Sequence, residues 1–163
     1  MKTFSFFMSG SHRIRDAATR LAREEMIKSI ASPVRILLVD EREKVRGAVA
    51  EFLTQFNIEM FSAGDIGAAV NQAELHEPDI VFVNLQLPLA SDGVTLIREL
   101  KQRQPAIPVV AYAADLTGDI FDAIRSVADE GIVPVQTDTA LCESFMHRIL
   151  KSFKLSRRAG MEP

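Results

Sequence analysis

Ile80-Val81-Phe82-Val83-Asn84, set between the breaker Glu77-Pro78-Asp79 and the segment Leu85-Gln86-Leu87-Pro88, is the most strand-like run in the chain. Upstream, Arg35 to Val39 is continuously apolar after its first residue, as a strand buried on both faces of a sheet should be. Between these two runs, Val45, Val49, Phe52, Leu53 and Phe56 recur at three- and four-residue steps and predict a helix over Glu41 to Phe56. Asn57 stops it, and Ile58 to Phe61 reads as a further strand. Asp65 is placed to cap a helix running to about His76, with Ala69, Val70, Ala73 and Leu75 as its apolar residues. Glu77-Pro78-Asp79 then breaks that helix before the opening strand.

Downstream, Leu87-Pro88 and Ser91-Asp92-Gly93 predict a loop, and Val94, Leu96, Ile97 and Leu100 the apolar stripe of a helix ending near Gln104-Pro105. Ile107 to Tyr112 reads as a fourth strand, Gly118 to Asp129 as a helix, and Gly131 to Val135 as a fifth strand. A last helix follows Thr137 or Asp138, carrying Leu141, Phe145, Ile149, Leu150 and Phe153 inward. Repeated βα units with right-handed connections predict an α/β, doubly wound, five-stranded parallel sheet of order 2-1-3-4-5, the flavodoxin-like arrangement. Ligands of such sheets sit where the first and third strands diverge at their carboxyl ends. Asp40, Glu41 and Asn84 fall there.

Composition narrows the function classes. The 163 residues carry 19 lysines and arginines against 22 acids, a net charge of −3, too mild for a general nucleic-acid or membrane binder. No stretch approaches the roughly 20 apolar residues of a membrane span, and Met1 to Met8 is too short a run for a signal-peptide core. The single cysteine, Cys142, excludes an internal disulfide, suits a reducing cytoplasm and is expected to pack in the last helix. No glycine-rich phosphate loop follows the first strand, where Asp40-Glu41-Arg42-Glu43 stands instead, which weighs against a flavodoxin-like small-molecule binder. Two adjacent carboxylates at a strand end are commonly a solvated loop, but at a ligand crevice they also suit a hard cation such as magnesium.

Taken together, Leu37-Leu38-Val39-Asp40-Glu41, then Pro78 to Pro88, then Asp92-Gly93, resemble the receiver domain of response regulators over about Val34 to Phe153. The resemblance implies that the acid pair holds magnesium and that the residue ending the third strand accepts a phosphoryl group. That residue is here Asn84, and an amide, with its nitrogen lone pair delocalised and no charge on its oxygen, cannot form an acyl phosphate. The implied switch hydroxyl at the end of the fourth strand maps onto Ala113, and the implied lysine of the fifth onto Val135. Losing the phosphoacceptor, the hydroxyl and the cation together implies an atypical receiver, or pseudo-receiver, with Asp40 and Glu41 as a vestigial pair that binds magnesium weakly at most and needs no cofactor. Other acids that could take over from Asn84 are few: Asp79 starts the strand at the wrong end, Asp92 suits helix capping, and Asp115 lies on the crevice side. A receiver still switched at such an acid is the alternative.

The expectation is therefore a non-enzymatic module that signals through protein partners, with the fourth helix, fifth strand and fifth helix as the face the resemblance implies. Tyr112 ends the fourth strand beside that face, either as a half-buried packing residue or as a rotamer switch. Residues 1–33 are expected to form an extension with an amphipathic helix over about 11–30, which would pack on its own domain, on a second copy as a homodimer, or on a partner. The receiver-like domain is expected over residues 34–155, with residues 156–163 a flexible tail too short for an output domain.

Overall fold

In the computed structural model, which describes residues 33–87, 90–113, 118–132 and 138–159, side chains of alternating direction divide the core between two faces of one sheet. The strands are β1 (Val34–Val39), β2 (Ile58–Ala63), β3 (Ile80–Asn84), β4 (Val109–Tyr112) and a short edge strand β5 (Glu130–Ile132). The helices between them are α1 (Glu43–Leu53), α2 (Ile66–His76), α3 (Ala90–Arg103), α4 (Gly118–Val127) and α5 (Asp138–Ala159). Every ladder is parallel and the order is β2-β1-β3-β4-β5.

Ile36, Leu38, Ile80, Phe82, Val110 and Tyr112 face one way, against Val49 and Leu53 of α1 and Phe145 and Ile149 of α5. Leu37, Val39, Val81, Val83, Val109 and Ala111 face the other, against α2 and α3. Helices on both faces are why β1 and β3 show unbroken apolar runs rather than alternation. Each fully buried Val, Leu, Ile or Phe stabilises by about 1.5–3 kcal/mol, so the central strands carry the largest share.

Helix boundaries differ from periodicity in instructive ways. Helix α1 spans Glu43 to Leu53, shorter at both ends than the Glu41 to Phe56 expected from its apolar stripe. Phe56 continues the stripe from a turn, its backbone N–H donating to Leu53 and its ring 5.5 Å from Phe52. Asp65 caps α2 as expected, its Oδ1 accepting from the Ala68 amide at 2.8 Å, and the helix ends where Glu77 turns left-handed (φ 46°) ahead of Pro78. Helix α3 begins at Ala90, so Ser91-Asp92-Gly93 forms its first turn and not a loop. Gly93 permits this: a Cβ there would lie 2.7 Å from the Leu85 Cα, so only glycine lets the helix start close against the end of β3.

Helix α5 continues to Ala159 and takes in residues 156–159 of the expected tail. The N-terminal extension with its helix over 11–30, and Val135, lie outside the described residues. Cys142 is buried in the α1/α5 core. Among the described residues no helix is long and apolar enough to cross a membrane.

Two glycines separate space from propensity. Gly93→Ala is expected to lower stability by about 1–3 kcal/mol in urea denaturation, through overpacking against backbone. Gly47→Ala, at a helical position where the added methyl meets nothing within 4 Å, should raise it by about 0.5–1 kcal/mol.

Candidate functional site

The carboxyl ends of three strands lie side by side. Val39 pairs with Val83 and Asn84 with Tyr112, so Asp40, Asn84 and Tyr112 form a row across the sheet on the face covered by α1 and α5. All three are buried, Asp40 fully, with Asn84 and Tyr112 each 2% exposed. A fully buried carboxylate is tolerated only where paired and hydrogen-bonded, and Asp40 is both.

Its Oδ1 accepts from the backbone N–H of Arg42 and from Arg42 Nε, each at 2.9 Å. Its Oδ2 accepts from Arg42 Nη2 at 2.8 Å and from the Tyr112 hydroxyl at 2.6 Å. The guanidinium is thus seated as a two-pronged fork on the carboxylate, the strongest common ion-pair geometry. Arg42 is also the residue preceding α1, where a side-chain acceptor for the free amides would be favoured; it provides no cap and turns back to Asp40 instead. Arg46, one turn on, donates from Nη1 to the Asp40 carbonyl at 2.5 Å, and Gly64 leaves room for it, since a Cβ there would come 3.1 Å from that nitrogen.

The titration behaviour follows from these contacts. Burial alone would push the Asp40 carboxyl up, but hydrogen bonds from the Arg42 side chain, the Tyr112 hydroxyl and the Arg42 amide, with the guanidinium charge, outweigh it and hold Asp40 below its ordinary value. The Tyr112 phenol is pushed well above its ordinary value by burial, by the Asp40 charge and by the hydrogen bond it donates to Asp40.

The residues singled out in the sequence are only partly brought together. Glu41 is exposed while its neighbour Asp40 is buried. Asn84 ends β3, and its Oδ1 accepts the Gln86 N–H at 2.9 Å, the same i to i+2 turn that Asp40 makes with Arg42. Ala113 is fully buried in the opposite core and presents a methyl group. Tyr112 does not lie on an exposed signalling face. Strand alternation turns it inward, edge-on to Phe145 at 5.2 Å, with its hydroxyl spent on Asp40. Asp79 closes the far end of β1, accepting from the Arg35 amide at 2.8 Å, and Asp115 lies outside the described residues.

These donors do not fit magnesium. Both oxygens of Asp40 are occupied, position 84 is uncharged, and among the described residues no three histidine, cysteine or acidic side chains converge as a metal set. Arg42 is the residue of this cluster that sequence reasoning missed. Its signal was an arginine two places after a strand-ending aspartate, where an Asx turn brings side chain i+2 beside side chain i.

Comparison with known proteins agrees with the geometry of the sheet. Residues 36–135 match the family described as the response regulator receiver domain. Over 136 residues the chain is 31% identical to the protein-glutamate methylesterase/protein-glutamine glutaminase 5 of Anaeromyxobacter dehalogenans, covering 80% of this chain and 37% of that one. Over 96 residues it is 32% identical to the transcriptional regulatory protein PdtaR of Mycobacterium tuberculosis, covering 58% of this chain and 46% of that one. The chain therefore spans less than half the length of either relative. A CheY-like receiver domain from Methanospirillum hungatei superposes with a TM-score of 0.64 at 18% identity, over 76% of this chain and 98% of that one, a likeness of fold.

Tyr112 is the only tyrosine and tryptophan is absent, so near-ultraviolet tyrosinate absorbance reads this residue alone. It should stay protonated in the native protein as pH rises past 10.0, the ordinary phenol value at which the unfolded chain ionises. The stability this gives is full below that value and is lost as pH climbs through the higher folded one. Asp40 acts at the other limit: its contribution is present above the ordinary carboxyl value of 3.8 and lost as pH falls through the lower folded one. Tyr112→Phe should cost about 1.5–3 kcal/mol at neutral pH in chemical denaturation, because it removes a hydrogen bond to a buried charge.

Proposed function

Because the chain belongs to the response regulator receiver domain family of two-component signalling, we propose that it is a receiver which is not phosphorylated at the usual position and which acts by binding another signalling protein. The observation that carries this reading is Asn84. It stands at the end of β3, buried in the crevice, with an amide where the chemistry of the family requires a carboxylate nucleophile.

Two further features support it. Ala113, following β4, offers no hydroxyl to a phosphoryl oxygen. Val135 carries no charge to neutralise one. Magnesium affinity is at most weak in this reading, since Asp40, the one buried acid among the described residues, is already neutralised by Arg42. The methylesterase and glutaminase activities named for the Anaeromyxobacter relative belong to that protein.

What remains for signalling is the rigid scaffold and its surfaces. The partner is a signalling protein of the same system, engaged through the face built by α4, β5 and α5. Association through that face or through residues 1–33 with a second copy is the variant to be separated by measuring oligomeric state. A fixed crevice suits a module whose output is set by the presence of its partner and not by a phosphoryl group.

The deciding experiment is intact-protein mass after incubation with acetyl phosphate or phosphoramidate and magnesium. An unchanged mass is expected, together with partner association that is the same with and without the phosphodonor. A stoichiometric, base-labile phosphoryl adduct would overturn the reading and direct attention to another acid.

A further inference from the structure

An aspartate carboxylate offers about four lone-pair directions, and at Asp40 four donors fill them: the Arg42 amide and Nε on Oδ1, Arg42 Nη2 and the Tyr112 hydroxyl on Oδ2. A metal ion could bind Asp40 only by displacing one of these groups. We propose that the Arg42 guanidinium is the built-in counterion of this crevice, excluding divalent cations, and that removing it, with an acid restored at position 84, creates a site for a hard divalent cation.

The inference rests on the unphosphorylated reading of the crevice and supplies its electrostatic cause. Asp40 with Arg42 sums to no net charge, Asn84 is neutral, and Glu41 is exposed to water. Beside Asp40 a dication would meet two guanidiniums, because Arg46 also reaches the Asp40 carbonyl. Divalent ions of this class need oxygen ligands with negative charge, and the one buried carboxylate among the described residues here, Asp40, is already paired.

The position of Arg42 argues that its side chain is committed to this task. A cation preceding a helix faces the positive end of the helix dipole, which disfavours it. An arginine there also forgoes the side-chain cap that aspartate or serine would provide. Both local costs are offset by the fork on Asp40. Tyr112 completes the arrangement from a strand not adjacent to β1: its hydroxyl crosses the end of β3 to reach Oδ2, so the counterion site also links β4 to β1.

The test is isothermal titration with magnesium chloride of the full chain, of Asn84→Asp and of Arg42→Gln/Asn84→Asp, with thermal unfolding measured with and without magnesium. The full chain and Asn84→Asp should bind weakly, and the double variant at least about tenfold more tightly than Asn84→Asp, because a buried carboxylate without its counterion attracts the strongest available cation. If the double variant is unfolded in the absence of metal, magnesium should refold it, and that rescue is the same result read through stability. Equal affinity in Asn84→Asp and the double variant would overturn the inference, as would a double variant that magnesium neither binds nor refolds. Phosphoryl mass judges the proposed function and cation affinity judges this inference, so either can fail alone.

Discussion

A carboxylate removed from water at the end of a central strand has to be neutralised, and Asp40 is fully buried. The cost of desolvating such a charge is several kcal/mol, and leaving it without a partner would cost still more of the fold's stability. Several otherwise unrelated choices along the chain answer that one demand. Arg42 gives up helix capping to place its fork on Asp40, Tyr112 turns its hydroxyl into the core, and Gly64 stays small so that Arg46 can reach the Asp40 carbonyl.

The location of this cluster is a consequence of the sheet. Parallel strands place their carboxyl ends on one edge, and in the order β2-β1-β3-β4-β5 the connections leave β1 and β3 in opposite directions, opening a crevice between them. Here the charge is closed within the protein: a local contact between residues 40 and 42, and a long-range one between residues 40 and 112. The long-range contact joins the first strand to the fourth across the third.

Most of the fold was legible because it rests on periodicity. Unbroken apolar runs marked the central strands, three- and four-residue spacing marked the helices, and Asp65 marked a helix start by an acceptor that the structure uses. The errors came where apolar spacing and hydrogen bonding part company. Phe56 keeps the stripe of α1 after the helix has ended, and Ser91-Asp92-Gly93, whose composition favours a loop, is helical because Gly93 allows close approach to Leu85.

The site shows the same division. Sequence alone determined that position 84 is an amide, that Ala113 follows the fourth strand and that Asp40 ends the first, because these are identities at register positions fixed by neighbouring apolar runs. It could not tell that Glu41 faces water while Asp40 is buried, that Arg42 neutralises Asp40, or that Tyr112 is a buried donor to Asp40 and not a half-buried packing residue. Those facts depend on the direction in which each side chain leaves a strand end. That direction is set by alternation across the assembled sheet and by the turn that follows β1, and only tertiary packing specifies both.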